Sequence, residues 1–321
     1  IARYGKKIQM NEGVCPAYSD CRMGLSPDRF ILSYCDRALG ITSAEEQPVL
    51  PKGNNLSLHL LELFTSQVAK VGMTDGIRQV LQEESDALRA YYEQAGILIA
   101  RPAGGTSCRL AISDKGGTNA ENHNHNDVGS YAVALGSETM VGDQGGPNSY
   151  PGDYFNGDAP QKYKIKGSFG HPVPVVDGRT QSSGGKAKGV VLQKEFTNEK
   201  DVFSIDYTSA YSTPNLDKLI RTFVYDRQGK GNFTVGDEFT AKTPIRFETA
   251  ITTRADWKVL DDTHLLLATD SEQMIVAIDA SGKVAFTSET IEVNSPAYTR
   301  IGIALKNQSK EGYIRLKMYT K

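Results

Sequence analysis

A short helical part followed by an antiparallel β-sandwich, an α+β and mainly β arrangement, is the fold class that this 321-residue sequence predicts. Three observations carry it. Apolar residues recur at helical spacing up to about position 92, the period then changes from 3.6 to 2 after Gly96, and clusters of Gly, Asn, Asp and Pro cut the remainder into short runs. The chain is long enough for two domains, and the change of period sets the expected boundary: 1–95 helical, 96–321 sandwich.

Each element follows from its local pattern. Residues 27–38 place Phe30, Ile31 and Tyr34 at helical spacing, with Pro27 at an acceptable early position. A polar stretch with two prolines and a glycine, 43–55, reads as a loop. Leu56, Leu60, Leu63, Phe64 and Val68 make 56–71 an amphipathic helix. A third helix is expected from Ile77 to Tyr92, with Asp75 as N-cap and Gly96 as terminator. Strands are then expected at Ile97–Ile99, around Tyr131, Val133 and Leu135, and around Ile220, Thr222 and Val224. The same alternation marks Met274, Val276 and Ile278, and later Ile301, Ile303 and Leu305.

Composition narrows the function classes. With 39% apolar and 23% charged residues the chain has an ordinary globular make-up. A formal charge of −2 gives no general attraction to nucleic acid or to an anionic membrane, so an acidic ligand would need a local basic patch. No apolar run approaches the roughly 20 residues of a membrane span. The chain opens on Ile1 with neither an initiator Met nor a signal peptide, which reads as a processed or truncated piece. Cys15, Cys21, Cys35 and Cys108 form no CxxC pair, leaving disulfides and free thiols equally open.

Histidine is scarce, with five in the chain, yet His123 and His125 stand one residue apart among Asn, Glu and Asp. On a strand, i and i+2 share a face, so His123, His125 and Asp127 could converge on one site; the bland reading is a polar surface loop. Asp143 follows an alternating strand and its turn at Gly136, so a hairpin would return it toward the histidines. Taken alone, it reads first as a turn-forming Asp beside glycines. His171 opens the strand-like run Val173–Val176, or else lies in an exposed loop. Two imidazoles and a carboxylate, with a fourth position for water, suit zinc. Among Tyr150, Tyr154 and Tyr163, a phenol tuned by its surroundings could act as a general acid, although tyrosines more often pack. His59 and His264 read as a helix residue and a turn residue. GxSxG, P-loop, GxGxxG and HExxH patterns are all missing.

Taken in order, several pieces resemble the heparinase II/III-like polysaccharide lyases. They are Tyr91–Arg101, His123-x-His125-x-Asp127-x-Gly129-Ser130-Tyr131, and Gly136 through Asp143-x-Gly145 to Tyr150. Ser168-x-x-His171 with Val175-Val176-Asp177-Gly178 and Gln181 follows, then Arg221–Tyr225 and Phe233–Phe239. The resemblance implies the end of an (α/α) toroid followed by an antiparallel super-β-sandwich. It also implies β-elimination of a uronic-acid-containing polysaccharide such as a glycosaminoglycan or alginate. His125, Asp143 and His171 match the ligands of a structural zinc, and His123 matches the catalytic histidine. Tyr154, and after it Tyr150, match the acid/base tyrosine, while Asp127 is expected to orient a histidine. Pro172 departs from the pattern, where Asn is common. The further implications are an acidic polysaccharide partner, a missing N-terminal toroid portion carrying the remaining catalytic groups, and a periplasmic or secreted bacterial setting. A homodimer stays open. The alternatives are a non-catalytic, metal-stabilised carbohydrate-binding or structural sandwich, and a zinc hydrolase that activates water.

Overall fold

The computed structural model describes residues 4–38, 87–292 and 296–321. The helix expected at 56–71 and most of that expected at 77–92 lie outside them, as does His59. The chain divides into two compact units, Ile1–Gln9 with Ser26–Ala87, and Met10–Leu25 with Leu88–Lys321. In the first, α1 is Tyr4–Lys7 and α2 is Arg29–Ala38. Asp28 starts α2 by accepting bonds from the Phe30 and Ile31 amides at 2.8 and 3.2 Å, as an N-cap does.

The second unit is built of antiparallel sheets. Strands β1 (Arg89–Tyr92), β2 (Ile97–Ala100), β3 (Leu110–Lys115), β5 (Tyr131–Leu135) and β6 (Glu138–Val141) form one sheet in that order. The two-residue β4 (Thr118–Asn119) pairs with β8 (Gly184–Lys188). The largest sheet has eight strands. Four of them are β9 (Val190–Phe196), β10 (Lys200–Asp206), β11 (Leu216–Asp226) and β12 (Asn232–Ile245). Its other members are β14 (Asp256–Asp261), β15 (His264–Ala268), β16 (Gln273–Ala280) and β19 (Ser309–Thr320). Their spatial order is β14-β15-β16-β19-β12-β11-β10-β9. A third sheet, β17-β18-β13-β7, uses Val284–Ile291, Tyr298–Leu305, Phe247–Thr253 and Val175–Val176. A short α-helix, α3 (Ala159–Lys162), and a 3-10 turn, Ser168–Gly170, lie between β6 and β7.

The sheets close on a shared aromatic core, which makes the unit a sandwich. Phe223 of β11 and Phe233 of β12 stack 6.2 Å apart, 5° from parallel. Tyr131 of β5 meets them from the facing sheet at 6.2 and 5.9 Å, tilted as the ring quadrupoles favour. All five residues of β5 are buried, as expected of a strand covered on both faces. The four cysteines are free thiols.

Two sequence expectations change. Arg89–Tyr92 is a strand rather than the end of a helix, and Gly96, at φ 62°, serves the hairpin into β2 rather than a helix end. Both devices use a glycine in the left-handed region, so the glycine could not tell them apart. What decides is Tyr91, whose ring lies edge-on to Phe196 and Phe203 at 5.8 Å each. In β11 the buried face is Leu219, Arg221, Phe223 and Tyr225, while Ile220, Thr222 and Val224 are half-buried. The alternation is real but faces the other way, because an arginine belongs to the core side.

Candidate active site and metal centre

The segment carrying the two histidines is a turn, not a strand. His123 has φ 57°, a left-handed conformation that non-glycine residues seldom adopt, and the i, i+2 argument for convergence fails. The backbone reversal instead sends the rings different ways: His123's side chain is 70% exposed and His125's fully buried. Asn side chains fasten this turn. Asn119 Oδ1 accepts from the Asp127 amide at 3.1 Å, and Asn119 Nδ2 donates to Gln181 Oε1 at 2.9 Å. Gln181 Nε2 in turn donates to the Val128 carbonyl at 2.7 Å, and the Asn126 amide donates to the Lys166 carbonyl at 2.9 Å. Asn119, at the end of β4, is the main staple of the turn.

Asp143 arrives as the hairpin predicted. Leaving β6, its Oδ2 accepts from Ser130 Oγ at 3.2 Å and from His171 Nδ1 at 2.8 Å, and its Oδ1 from the Gly145 amide at 2.9 Å. Gly145 lies at φ 68°, and a Cβ there would sit 1.6 Å from the Cys21 carbonyl oxygen. Only glycine lets the Asp143 segment pass so close beneath the segment that carries Asp20. His171 follows a 3-10 turn, Ser168–Gly170, whose Ser168 Oγ accepts from the Gln181 amide at 2.8 Å.

His125, Asp143 and His171 are thereby brought together, buried, with one ligand atom of each within 4.8 Å of the others. His125 Nδ1 and His171 Nε2 are buried without any hydrogen-bond partner. Orphaned buried nitrogens of this kind are costly, and a cation held by two imidazoles and a carboxylate would satisfy them. The residues therefore fit a metal ion. Burial alone would raise the Asp143 carboxyl, but the His171 imidazole and its hydrogen bond outweigh it and hold the group below the usual carboxylate range. His171 is raised, because Asp143 overcomes the opposing effect of burial, whereas in His125 burial wins and the imidazole is lowered. The lowered pair, His125 and Asp143, is thereby uncharged and ionised respectively, as ligands must be, whereas the raised His171 would have to release a proton to bind a metal.

Asp20, not singled out from the sequence as a functional residue, joins the two histidines. Its Oδ2 lies 2.8 Å from His123 Nδ1 and its Oδ1 3.1 Å from His125 Nε2. Burial pushes its carboxyl up, and the hydrogen bonds from His125 and His123 more than reverse that, leaving it lowered. The only sequence signal was that Asp20 closes the stretch Glu12–Asp20, which resembles one near the end of the family's toroid. Asp127 takes a different part from the one expected: its Oδ1 pairs with the buried Lys115 ammonium, and neither of its oxygens bonds a histidine ring.

The tyrosines separate by depth. The Tyr154 hydroxyl is 3.0 Å from His125 Nε2, and the residue is fully buried. Burial first, and the Asp20 charge second, push its phenol far above its usual value. Tyr150 lies one ring further out, with centroids 5.1 Å apart, and is 39% exposed. Tyr163 packs on Tyr154 at 5.5 Å. Lys166, also unanticipated, is a buried cation 4.5 Å from the Tyr154 ring centroid, and its Nζ donates to the Tyr154 carbonyl at 2.8 Å. His264, expected in a turn, instead opens β15 directly after the turn at Asp262 and Thr263, and pairs with Asp261 at 2.9 Å. A pocket of about 420 Å³ lined by Cys15, Glu138 and Arg254 contains none of these groups.

Behind the site stands Arg221, fully buried. It pairs with Asp237 through two bonds of 2.7 Å, and its Nη1 donates to the Gly129 carbonyl at 2.6 Å and to the Pro172 carbonyl at 2.7 Å. One guanidinium thus ties the turn after His125 to the residue after His171. Gly129 must be glycine here, at φ 88° with a Cβ position 3.3 Å from the Tyr207 ring.

Neither a family model nor a curated protein matches the sequence. Solved structures do match in fold. A heparinase III crystal structure aligns with a TM-score of 0.64 at 17% identity, covering 99% of this chain and 46% of that one. Heparan sulfate lyase HepC from Pedobacter heparinus aligns at 0.65 and 13%, covering 98% and 45%. The fold is that of the C-terminal part of heparinase III. The resemblance read from the sequence is thus met by the heparinase III fold, and the mainly β, antiparallel prediction holds. This chain spans under half the length of those lyases. No described helix is long and apolar enough to cross a membrane.

Proposed function

We propose that this chain is the C-terminal part of a polysaccharide lyase that cleaves a uronic-acid-containing polysaccharide, a glycosaminoglycan or alginate, by β-elimination. The observation that carries this reading is an exposed imidazole, His123, held by Asp20 directly beside a buried His125–Asp143–His171 centre. The part up to about residue 87, apart from Met10–Leu25, corresponds to the end of an α/α toroid and the strands from Arg89 onward to the sandwich, with further catalytic groups supplied from the remainder of the toroid. A polymeric substrate places the enzyme in the periplasm or outside the cell.

In the reaction a base removes the proton α to the uronate carboxylate. The electron pair forms the C4–C5 double bond, the C4–O bond breaks, and an acid protonates the departing sugar oxygen. With Nδ1 donating to Asp20, His123 presents the lone pair of Nε2 and serves as the base. The proton donor comes from the Tyr150–Tyr154 pair. Tyr150 is the member open to a polymer; Tyr154, covered and bonded to His125, becomes the donor only where Tyr150 swings aside. Zinc held by His125, Asp143 and His171 would supply fixed positive charge and join three loop segments. An exposed tyrosine over the same centre favours the lyase over a purely structural or carbohydrate-binding sandwich.

The test supplies this chain together with the rest of its toroid and follows ultraviolet absorbance of unsaturated uronate from heparan sulfate and from alginate. His123→Ala is expected to abolish the signal, Tyr150→Phe to lower it strongly, and the 321-residue chain alone to be weak. Saturated products only would replace elimination by hydrolysis, and full turnover by this chain alone would remove the need for outside groups.

A further inference from the structure

We propose that Phe155 and Arg22 form a sugar subsite, in which the Phe155 ring stacks on a pyranose and Arg22 binds its carboxylate or sulfate, next to the sugar presented to His123. This rests on the lyase reading above and names the ring and charge that the site selects.

Phe155 is 56% exposed, the most exposed of the large apolar side chains described. Leaving so much aromatic surface in water is unfavourable, yet the ring is held fast. It meets Tyr150 at 5.0 Å, Tyr154 at 5.4 Å and the His123 imidazole at 5.9 Å, the last at 87°. The buried Lys166 ammonium lies 4.9 Å from its centroid, so the opposite face is the one turned to solvent. The loop beneath is a series of turns, with Tyr154, Asn156 and Ala159 amides donating to the carbonyls of Pro151, Asp153 and Asn156 at 3.0–3.1 Å. A rigid exposed ring beside a catalytic imidazole suits the apolar C–H face of a pyranose. It costs little conformational entropy on binding.

Arg22 supplies charge to the same surface. Its side chain is exposed, and Nη2 donates to the Asn148 carbonyl at 2.8 Å, two residues before Tyr150. Among the described residues no carboxylate pairs with it. Burial and then the Asp20 charge raise the Tyr150 phenol, and the guanidinium is near enough to offset part of that. On a chain of net charge −2, such a local cation is what an acidic polymer requires. A planar guanidinium also matches carboxylate and sulfate better than an ammonium.

The test measures equilibrium binding of the 321-residue chain to a heparan sulfate hexasaccharide and an alginate hexasaccharide, with cellohexaose as the neutral comparison. Phe155→Ala is expected to weaken binding of the acidic probes roughly three- to tenfold, and Phe155→Trp to restore it. The introduced indole should also shift its emission when saccharide is added; the only native tryptophan is Trp257. Arg22→Gln should weaken the acidic probes and flatten their salt dependence, with no effect on cellohexaose. Acidic-probe binding unchanged in Phe155→Ala, or a silent indole, overturns the subsite and leaves the lyase reading in place. Failure of the unaltered chain to bind either acidic probe also overturns the subsite, while the lyase reading stands or falls with the turnover assay on the complete enzyme.

Discussion

Replacing Arg221 by Met asks whether the frame of the site hangs on a single guanidinium. All five N–H groups are used: two on Asp237, two on the Gly129 and Pro172 carbonyls, and one on Thr249 Oγ1 at 3.1 Å. Without them the Asp237 carboxylate stays buried with only the Tyr207 and Thr249 hydroxyls, at 2.6 and 2.7 Å, and two buried carbonyls lose their donor. Removing one partner of a buried ion pair costs about 3–5 kcal/mol, and each abandoned carbonyl about 1–3 kcal/mol. These overlap, so a loss of about 5 kcal/mol is expected, a large share of the roughly 5–15 kcal/mol a domain has. At about 2–4 °C per kcal/mol for a unit of this size, Tm by circular dichroism should fall by at least ~10 °C. Arg221→Met with Asp237→Leu removes both charges and should recover at least half of the loss, as buried pairs replaced by apolar groups do. Metal retention should not recover, since the carbonyls on either side of the centre remain unheld. A single-variant loss below about 1 kcal/mol, or a double variant no better than the single, would refute the clamp.

Asp114 is buried with both oxygens unpartnered, and burial, then the Asp201 charge, raises its carboxyl well above the usual range. A raised carboxyl stabilises the fold at low pH and withdraws that stability as pH climbs from the ordinary carboxylate value to the shifted one. Asp114→Asn should therefore gain about 1–2 kcal/mol at pH 7 and lose that slope; urea titrations at pH 4 and 7 showing no difference from the unaltered chain would count against it. Elemental analysis should find about one zinc per chain in the unaltered protein and none in His125→Ala, and a chelator should lower Tm before it alters any chemistry. No bound metal in the unaltered chain removes the centre. Asp20→Asn should lower kcat of the complete lyase roughly ten- to hundredfold with KM little changed, and an unaltered kcat would show that His123 needs no such support.

The architecture was legible because alternation and turn clusters are local properties. Tyr131, Val133 and Leu135 lie in a strand, and the Gly136 hairpin returns Asp143 to the histidine segment. The clustering of His125, Asp143 and His171 was legible because His is rare and its partners follow in order. What stayed hidden depends on depth and distance. Whether Leu219 or Ile220 faces the core is decided by rings on other strands, and Arg221, which hydropathy places outside, is fully buried because Asp237 lies opposite it in register. Asp20 is 103 residues from His123 in sequence, and no local pattern connects them. Tyr154 is buried beneath Tyr150, Phe155, Tyr163 and Lys166, while Tyr150 lies outermost, a difference no local pattern reports.

The failed strand argument for the histidine pair bears on the mechanism. On a strand, His123 and His125 would share a face, and both would compete for the metal or both for substrate. The left-handed residue at His123 turns one ring to solvent and the other to the core within three residues. Such a conformation costs of order 1 kcal/mol and persists only where its surroundings enforce it. Here Asp20 does so, bonding a nitrogen of each ring with one carboxylate. The same contact makes the position of the exposed base depend on the buried centre: if His125 shifts when metal leaves, Asp20 moves with it, and His123 follows. A metal held by His125, Asp143 and His171 would therefore act on His123 only through His125 and Asp20.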